Sequence, residues 1–425
     1  VDVNVSSVKN NKICRIIRNC YLEKNLSCDI FVAGEYLVGQ LIGDNKLNEI
    51  KIVFDGSLPD DKIRRFVEYV ISSLGWVHKF DDHDLLNLMY FDKYSDNNVL
   101  FRFVVDIENV VFIFYVYKSC NLLNDVYDRV AGGLSNDLIC YDVKLDVGVG
   151  VARSWEQNII SPKGDYISWI RDDFSRIMKV FRYACDYNCD LSYMLTGFIG
   201  QLVDSKDSEF INYFKFDNFA AYRAEFIKCI MSDNASKIFT RLHDCGVLKY
   251  ILPQVSILST IKQNKPTANN AFIHTMQVLK LCPRDLGLRI AAIFHDVGKY
   301  ETNSAVDDRF YRHEVISSNK VIKWFKCTGF GSQIIDGNVE FVVPVVPILI
   351  SNHMHIGGLV KSGVITSNAV SRLHTRCRGE HLRSVLLAMY DRLCSVKEEN
   401  RVNESIEYYR LIFELNKREL ELKHG

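Results

Sequence analysis

The amino-acid sequence predicts an α/β head, a mixed sheet with helices, followed by an all-α remainder. Short β-branched and aromatic runs are confined to about the first 155 residues. From Tyr166 onward, apolar residues recur at three- and four-residue spacing and strand signals largely vanish. The chain has 425 residues, 48% hydrophobic and 24% charged, enough for roughly two to four domains with buried cores.

In the head, Asp29–Ala33 and Glu49–Phe54 read as strands, with a helix over Glu35–Ile42 between them. Leu58–Gly75 has helical spacing, with Pro59 suited to a first turn and Gly75 to the end. Leu100–Asp106 and Val110–Lys118 read as a hairpin around Ile107–Asn109. Beyond it, Tyr166–Tyr187, Leu191–Val203, Ala220–Met231 and Ala235–Cys245 read as amphipathic helices. Asn264–Asn270, with Pro266, reads as a linker, and helical spacing resumes from Ala271 to about Asp391. Glu398–Gly425 is dense in mixed charge and reads as an amphipathic or solvated helix. The expected domains are residues 1–155, 156–263, 264–397 and 398–425.

Lys+Arg and Asp+Glu both number 52, so the net charge is zero, whereas a dedicated nucleic-acid binder is usually basic. One basic face offset by an acidic one keeps RNA binding open. The 13 cysteines include no CxxC pair, and Cys185 and Cys189, four apart, read as packing. Scattered thiols point to a reducing compartment. No segment reads as long and apolar enough to cross a membrane, and Val1–Lys12 lacks a signal peptide's apolar core. The expectation is a protein of the cytoplasm or an organelle matrix, the mitochondrion included, without a membrane partner.

The apolar run Leu286–Phe294 leads into His295-Asp296-Val297-Gly298-Lys299. An adjacent imidazole and carboxylate at a helix end can reach one cation. Alone, such a pair is a weak signal. Here His274 lies about six helical turns upstream, and His313-Glu314, His353 and Asp391 follow downstream. This order resembles the HD superfamily of metal-dependent phosphohydrolases. The resemblance implies that His274, His295, Asp296 and Asp391 bind one divalent metal, whether Mn, Ni, Co, Fe or Mg. It implies that His313 and His353 complete a second site or contact phosphate, and that Lys299 meets a phosphate. Six unrelated polar residues, the histidines satisfied by hydrogen bonds, are the competing reading; the completeness and order of the set count against it.

Three segments precede that block: Arg171–Ala184, Tyr222-Arg223-Ala224-Glu225 and Gly246–Pro253. Together they resemble the class II (bacterial-type) CCA-adding tRNA nucleotidyltransferase and poly(A) polymerase family, in its HD-containing branch. The resemblance covers roughly residues 25–395 and is strongest from 165 onward. It implies a nucleotidyltransferase-like head, a helical neck and body that clasp RNA, and an all-α HD domain. It also implies that Asp172, Asp173 and Arg176 read a base. Asp173 and Arg176, three apart, would share a helix face and offer acceptor and donor to a base edge. An intrahelical ion pair on a solvated face explains the same spacing. By the same resemblance, Gly34, Lys179 and Arg182 contact RNA or phosphate.

The head departs from the family pattern. The family's phosphate-holding Gly-Gly-x-x-Arg-Asp turn meets Ala33–Gly43, where Gly34 and Gly43 are kept but Glu35, Val38 and Gly39 replace the glycine, arginine and aspartate. An acid at Glu35 would repel phosphate. The family's Asp-x-Asp strand, whose carboxylates share one face and hold two Mg²⁺ ions, is here Glu49-Ile50-Lys51. An ammonium at ~4 Å, at an effective dielectric near 20, opposes each unit of cation charge by ~4 kcal/mol. The third carboxylate should lie on Val110–Lys118, which has none; Asp106 and Glu108 fall in the expected turn. Of the later Arg-Arg-Asp-Phe-Thr-x-Asn motif, only Asp137 matches. Nucleotide addition is therefore expected to be lost, with no Mg²⁺ in the head.

Three functions compete at this stage. The first is a non-polymerising relative that binds tRNA-like or other structured RNA, as a binding or assembly factor or a subunit of a larger ribonucleoprotein. The second is an HD phosphohydrolase acting on nucleotides, cyclic phosphates or RNA 3′ ends. The third, lowest on mechanism, is a working CCA-adding enzyme with atypical catalytic residues.

Overall fold

Asn11 caps the first helix, α1 (Lys12–Glu23). Its side-chain oxygen accepts from the amides of Ile13 at 2.9 Å and Cys14 at 3.4 Å, donors that a helix start otherwise leaves unpaired. Periodicity had not singled out this helix, although Ile13, Cys14, Ile17, Cys20 and Tyr21 form one buried stripe. The computed structural model describes residues 11–24, 30–33, 49–55, 65–66, 69–70, 73, 99–107, 110–117, 140–142, 147–149, 159–160, 166–186, 188–214, 219–302, 310–330, 332–335, 338–363 and 365–424. The chain forms two compact units, residues 1–173 with 188–198, and residues 174–187 with 199–425.

In the first unit, β1 (Ile30–Ala33), β2 (Glu49–Asp55), β3 (Val99–Ile107), β4 (Val110–Tyr117), β5 (Cys140–Asp142) and β6 (Val147–Val149) form one mixed sheet. Its order is β3-β4-β2-β1-β5-β6, and β2–β4 is its one parallel pair. Ile30, Val32 and Ile52 are buried, following the two-residue period of a strand. The expected β3–β4 hairpin is present, but Asp106 lies within β3, paired with Val111, rather than in the turn. Val111 pairs in turn with Glu49, so Asp106, Val111 and Glu49 occupy one row of the register; Lys51 is beside Ile113. Gly34, the expected helix Glu35–Ile42, Glu108 and Asp137 lie outside the described residues. Of the expected helix Leu58–Gly75, residues 65–66, 69–70 and 73 are described, and they are helical.

A short parallel pair joins β7 (Ile159–Ile160) to β8 (Asp190–Leu191). The expected single helix Tyr166–Tyr187 is two, α2 (Tyr166–Asp172) and α3 (Arg176–Asp186). Phe174 and Ser175 form the intervening turn and are buried. Asp172, Asp173 and Ser175 are residue types that favour helix ends over interiors. The apolar spacing survives across the break, so periodicity does not reveal it.

Helices continue with α4 (Tyr193–Asp204), α5 (Ser208–Tyr213), α6 (Phe219–Met231), α7 (Ala235–Asp244), α8 (Leu248–Ile251) and α9 (Pro253–Ser256). Next, Asn264–Asn270 is not a linker but part of a hairpin, β9 (Lys262–Lys265) and β10 (Ala268–Asn270), with Pro266 and Thr267 at its tip. Lys, Gln and Asn have low strand propensity, which hides it in the sequence. The second unit continues with α10 (Ala271–Leu281), α11 (Leu286–Phe294), α12 (Lys299–Thr302) and α13 (His313–Thr328). A second hairpin, β11 (Ser332–Ile335) with β12 (Asn338–Phe341), precedes α14 (Val342–Lys361), α15 (Ser367–Cys377), α16 (His381–Leu393) and α17 (Arg401–His424). Apart from the two hairpins, the described residues after Ser192 match the all-α expectation.

Aromatic rings join the helical body to α11 and α13: the Trp324 ring lies 5.2 Å from Phe226 and 4.9 Å from Phe294. Arg289, 5% exposed, donates to the carbonyls of Ile230, Ser232, Pro283 and Cys282. Helix α14 is twenty residues, long and apolar enough by length and composition to cross a bilayer, which corrects the sequence expectation. It packs against α11, α13 and α16 and buries Asn352 and His353, as a core helix does. The amphipathic reading of the charged tail describes α17: Tyr408, Leu411 and Leu415 join a core with residues of α14, α15 and α16.

Candidate metal centre

The six predicted HD residues converge. His274 lies on α10, His295 and Asp296 follow α11, His313 opens α13, His353 lies within α14 and Asp391 near the end of α16. His274, His295, Asp296, His313 and His353 are each at most 3% exposed. Asp391 is 20% exposed. Their donor atoms form two clusters, His274–His295–Asp391 and Asp296–His313–His353. Asp296 touches both: Oδ2 lies 3.2 Å from His295 Nε2 and 3.8 Å from His274 Nε2, and Oδ1 lies 3.2 Å from His313 Nε2. Oδ2 of Asp296 thus lies among the expected set of four, while its Oδ1 faces His313 of the second cluster.

Local backbone fixes the imidazole tautomers. His295, His313 and His353 each place Nδ1 2.7 Å from the carbonyl three residues earlier, Ala292, Phe310 and Ile350. A carbonyl only accepts, so Nδ1 carries the proton and Nε2 keeps its lone pair. All three Nε2 atoms are buried with no hydrogen-bond partner. Burial pushes the pKa of His274 down to about 4 and of His353 to about 3, so both are neutral near pH 7. Burial also opposes ionisation of Asp296 and Asp391. His295 and Lys299 beside the first, and Lys265 and His274 beside the second, outweigh it and hold both carboxyls well below the usual range. For His313, burial is outweighed by the Asp296 carboxylate, and the shift is upward.

Two lysines complete the centre. Lys299 Nζ lies 2.5 Å from Asp296 Oδ2. Lys265, delivered by β9, places Nζ 2.9 Å from His274 Nε2 and 3.5 Å from Asp391 Oδ1. Sequence reasoning missed Lys265 because the hairpin read as a linker. Buried imidazole nitrogens without hydrogen-bond partners, two ionised carboxylates and an ammonium already seated among them fit a divalent cation.

Gly298 has a steric role. Its amide donates to Ser317 Oγ at 2.8 Å, drawing the turn onto α13. A β-carbon there would lie 2.3 Å from the His313 carbonyl oxygen and 2.9 Å from the Ser317 nitrogen, both backbone atoms. Gly298→Ala is expected to cost about 3 kcal/mol in urea unfolding, through overpacking that the backbone cannot relieve cheaply.

Residues 271–393 match the HD domain family, and residues 222–258 match a family described as "Probable RNA and SrmB- binding site of polymerase A". A multifunctional CCA protein of Neisseria meningitidis serogroup A is 30% identical over 210 residues, 45% of this chain and 47% of that protein. The corresponding protein of Laribacter hongkongensis is 32% identical over 151 residues, 34% and 35% of the two chains. These matches give the chain an HD domain and, over part of its length, similarity to HD-containing class II CCA-adding enzymes and poly(A) polymerases. It spans about half the length of the Neisseria relative and a third of the Laribacter one. The solved Thermotoga maritima CCA-adding enzyme complexed with tRNA shares the fold at TM-score 0.54 and 13% identity, over 97% of this chain and 86% of that one. A tRNA-processing enzyme complex gives TM-score 0.55, also at 13% identity, over 92% and 90%.

The other positions singled out by the family resemblance are arranged differently from expectation. Asp172 ends α2 and Arg176 begins α3, so Asp173 and Arg176 do not share one continuous helix. Asp172 is exposed, and Asp173 and Arg176 are half-buried. Arg182, expected at RNA or phosphate, is 4% exposed, 3.5 Å from Glu225 and 4.6 Å from the Tyr183 ring centre. Lys179 is half-buried beside the same ring. Within the second unit, a cavity of about 340 Å³ is lined by Tyr213, Phe214, Tyr222, Lys249, Tyr250 and Trp324 among others.

Proposed function

We propose that this chain is an RNA-binding member of its family whose phosphate chemistry lies at the HD centre, as metal-dependent hydrolysis of phosphate esters on nucleotides or RNA 3′ ends. The observation that carries this reading is the convergence of three buried, unpaired imidazole nitrogens with two ionised carboxylates. Imidazole-rich donors favour a first-row transition ion such as Mn²⁺, Fe²⁺, Co²⁺ or Ni²⁺ over Mg²⁺. When bound, such an ion supplies charge that polarises a phosphoryl group and activates water. The protein's own contribution is positioning. The Nδ1 bonds hold the rings, buried walls exclude bulk water, and half-buried Lys265 lies beside Asp391. There the ammonium can turn from its carboxylate to a phosphate oxygen.

RNA contact is assigned to the segment matched at residues 222–258, where exposed Lys249 lies 4.9 Å from the half-buried Tyr250 ring. A cation beside aromatic faces suits an unstacked base with its phosphate. The head has lost nucleotide addition on this reading. Lys51 stands in the Asp-x-Asp position of β2, and β4, its parallel neighbour, carries no acid.

Two assays on the purified protein test the reading together. With Mn²⁺, Co²⁺ or Ni²⁺, hydrolysis of a generic phosphodiester and of an RNA 3′ or cyclic phosphate is expected, and chelation should abolish it. With Mg²⁺, CTP, ATP and tRNA lacking its 3′ end, no extended product is expected. CCA-extended tRNA would overturn the reading of the head, and inertness with every metal would overturn that of the HD centre.

A further inference from the structure

A second donor set lies apart from the HD centre, where α15, α16 and α17 meet. His374 is in the last turn of α15, His381 opens α16, and Glu419 lies on α17. One ligand atom from each falls within 4.8 Å of the others. His381 is 4% exposed, and its Nε2 lies 3.0 Å from Asn416 Oδ1 and 3.4 Å from Glu419 Oε2. The half-buried His374 ring has its centre 5.5 Å from that of His381.

Asn416 Oδ1 and Glu419 Oε2 both face Nε2 of the buried His381 ring, so that nitrogen is the one a shared cation would take. Tetrahedral coordination with bonds of about 2.0–2.2 Å sets neighbouring donors about 3.3 Å apart, and the His381–Glu419 separation of 3.4 Å has that spacing. Two imidazoles and one carboxylate form a familiar donor set for Zn²⁺, with a fourth position left for water. The Asn416 oxygen, beside His381, is a further candidate for that position.

We propose that His374, His381 and Glu419 form a second metal site for a tetrahedral first-row cation such as Zn²⁺, clamping the last helix to the HD domain. Three helices are involved, and α17 follows α16 in the chain, so occupancy would couple the helix to its neighbours. The site stands independently of any activity at the HD centre.

The test uses the full chain, stripped with chelator and titrated with Zn²⁺ and, separately, Co²⁺. Because the HD centre also takes up metal, wild type is compared with Glu419→Gln and His374→Gln, which alter half-buried positions and leave the HD residues intact. Wild type is expected to bind about one Zn²⁺ more per chain than either variant. For the extra site, each variant should show affinity weakened at least about tenfold. Co²⁺ should give wild type a tetrahedral visible absorption component that both variants lack, and Zn²⁺ should raise the melting temperature of wild type more than theirs. Unchanged stoichiometry and Co²⁺ spectrum in both variants would overturn the proposal, as would a spectrum lost only on changing His295.

Discussion

His295→Ala is expected to lower metal-dependent phosphoester hydrolysis by at least about 100-fold and to reduce metal retention at the HD centre. The ring is fully buried, its Nδ1 is held by Ala292, and its Nε2 has no hydrogen-bond partner. Changing residues that merely orient a ligand costs roughly 10–100-fold in affinity or activity, so removing the ligand should cost more. Asp296→Asn should be at least as severe, because Asp296 touches both clusters and pairs with Lys299 at 2.5 Å. A charge-neutral Asn leaves that ammonium buried against an amide, so part of the loss will be stability. Metal content, circular dichroism and hydrolysis measured on the same preparations separate the two effects. If both variants hold as much metal as wild type and hydrolyse equally, the six-residue centre is not where the chemistry occurs.

Much of this centre was legible in the sequence. Histidine and aspartate are uncommon in apolar helices, so six of them in a fixed order stand out against Leu286–Phe294 and its neighbours. Sequence order could not reveal how the donors divide in space, since that depends on which oxygen of Asp296 faces which helix. Lys265 was illegible for another reason. Nothing local distinguishes a lysine in a polar hairpin from one in a linker, and its importance comes from His274 and Asp391, one of them 126 residues away in numbering (391 − 265). Arg182 shows the opposite error. The family resemblance implied an RNA or phosphate contact there, but Glu225, on a separate helix, pairs with it inside the fold. In the head, β-branched and aromatic runs predicted the strands while the register moved Asp106 out of the turn and into the row of Glu49. Turn boundaries depend on cross-strand pairing, which a single run does not encode.

The largest stability effect is expected at a residue that no functional motif contains. Arg289, in the apolar helix α11, sends its guanidinium into the gap between the end of α6 and the segment joining α10 to α11. Nε donates to Pro283 O at 2.8 Å, Nη1 to Ile230 O at 2.8 Å and Ser232 O at 2.7 Å, and Nη2 to Cys282 O at 3.2 Å. Two of these carbonyls belong to the body and two to the HD helices, so one side chain satisfies helix-end acceptors on both sides. Arg289→Met keeps most of the volume but leaves these acceptors without their charged donor. Hydrogen bonds to charged groups contribute about 1.5–3 kcal/mol each and are not additive. The loss in urea unfolding is expected to be about 3–5 kcal/mol, a large share of a typical domain's about 5–15 kcal/mol. Arg289→Lys should recover little of it, because an ammonium on a flexible stem cannot reproduce the planar fork. Metal content at the HD centre should persist in the fraction that remains folded, since Arg289 does not contact its ligands. A loss under about 1 kcal/mol for Arg289→Met would mean that water replaces the guanidinium at these carbonyls, and that the body and the HD helices are held together by the Phe226–Trp324–Phe294 rings instead.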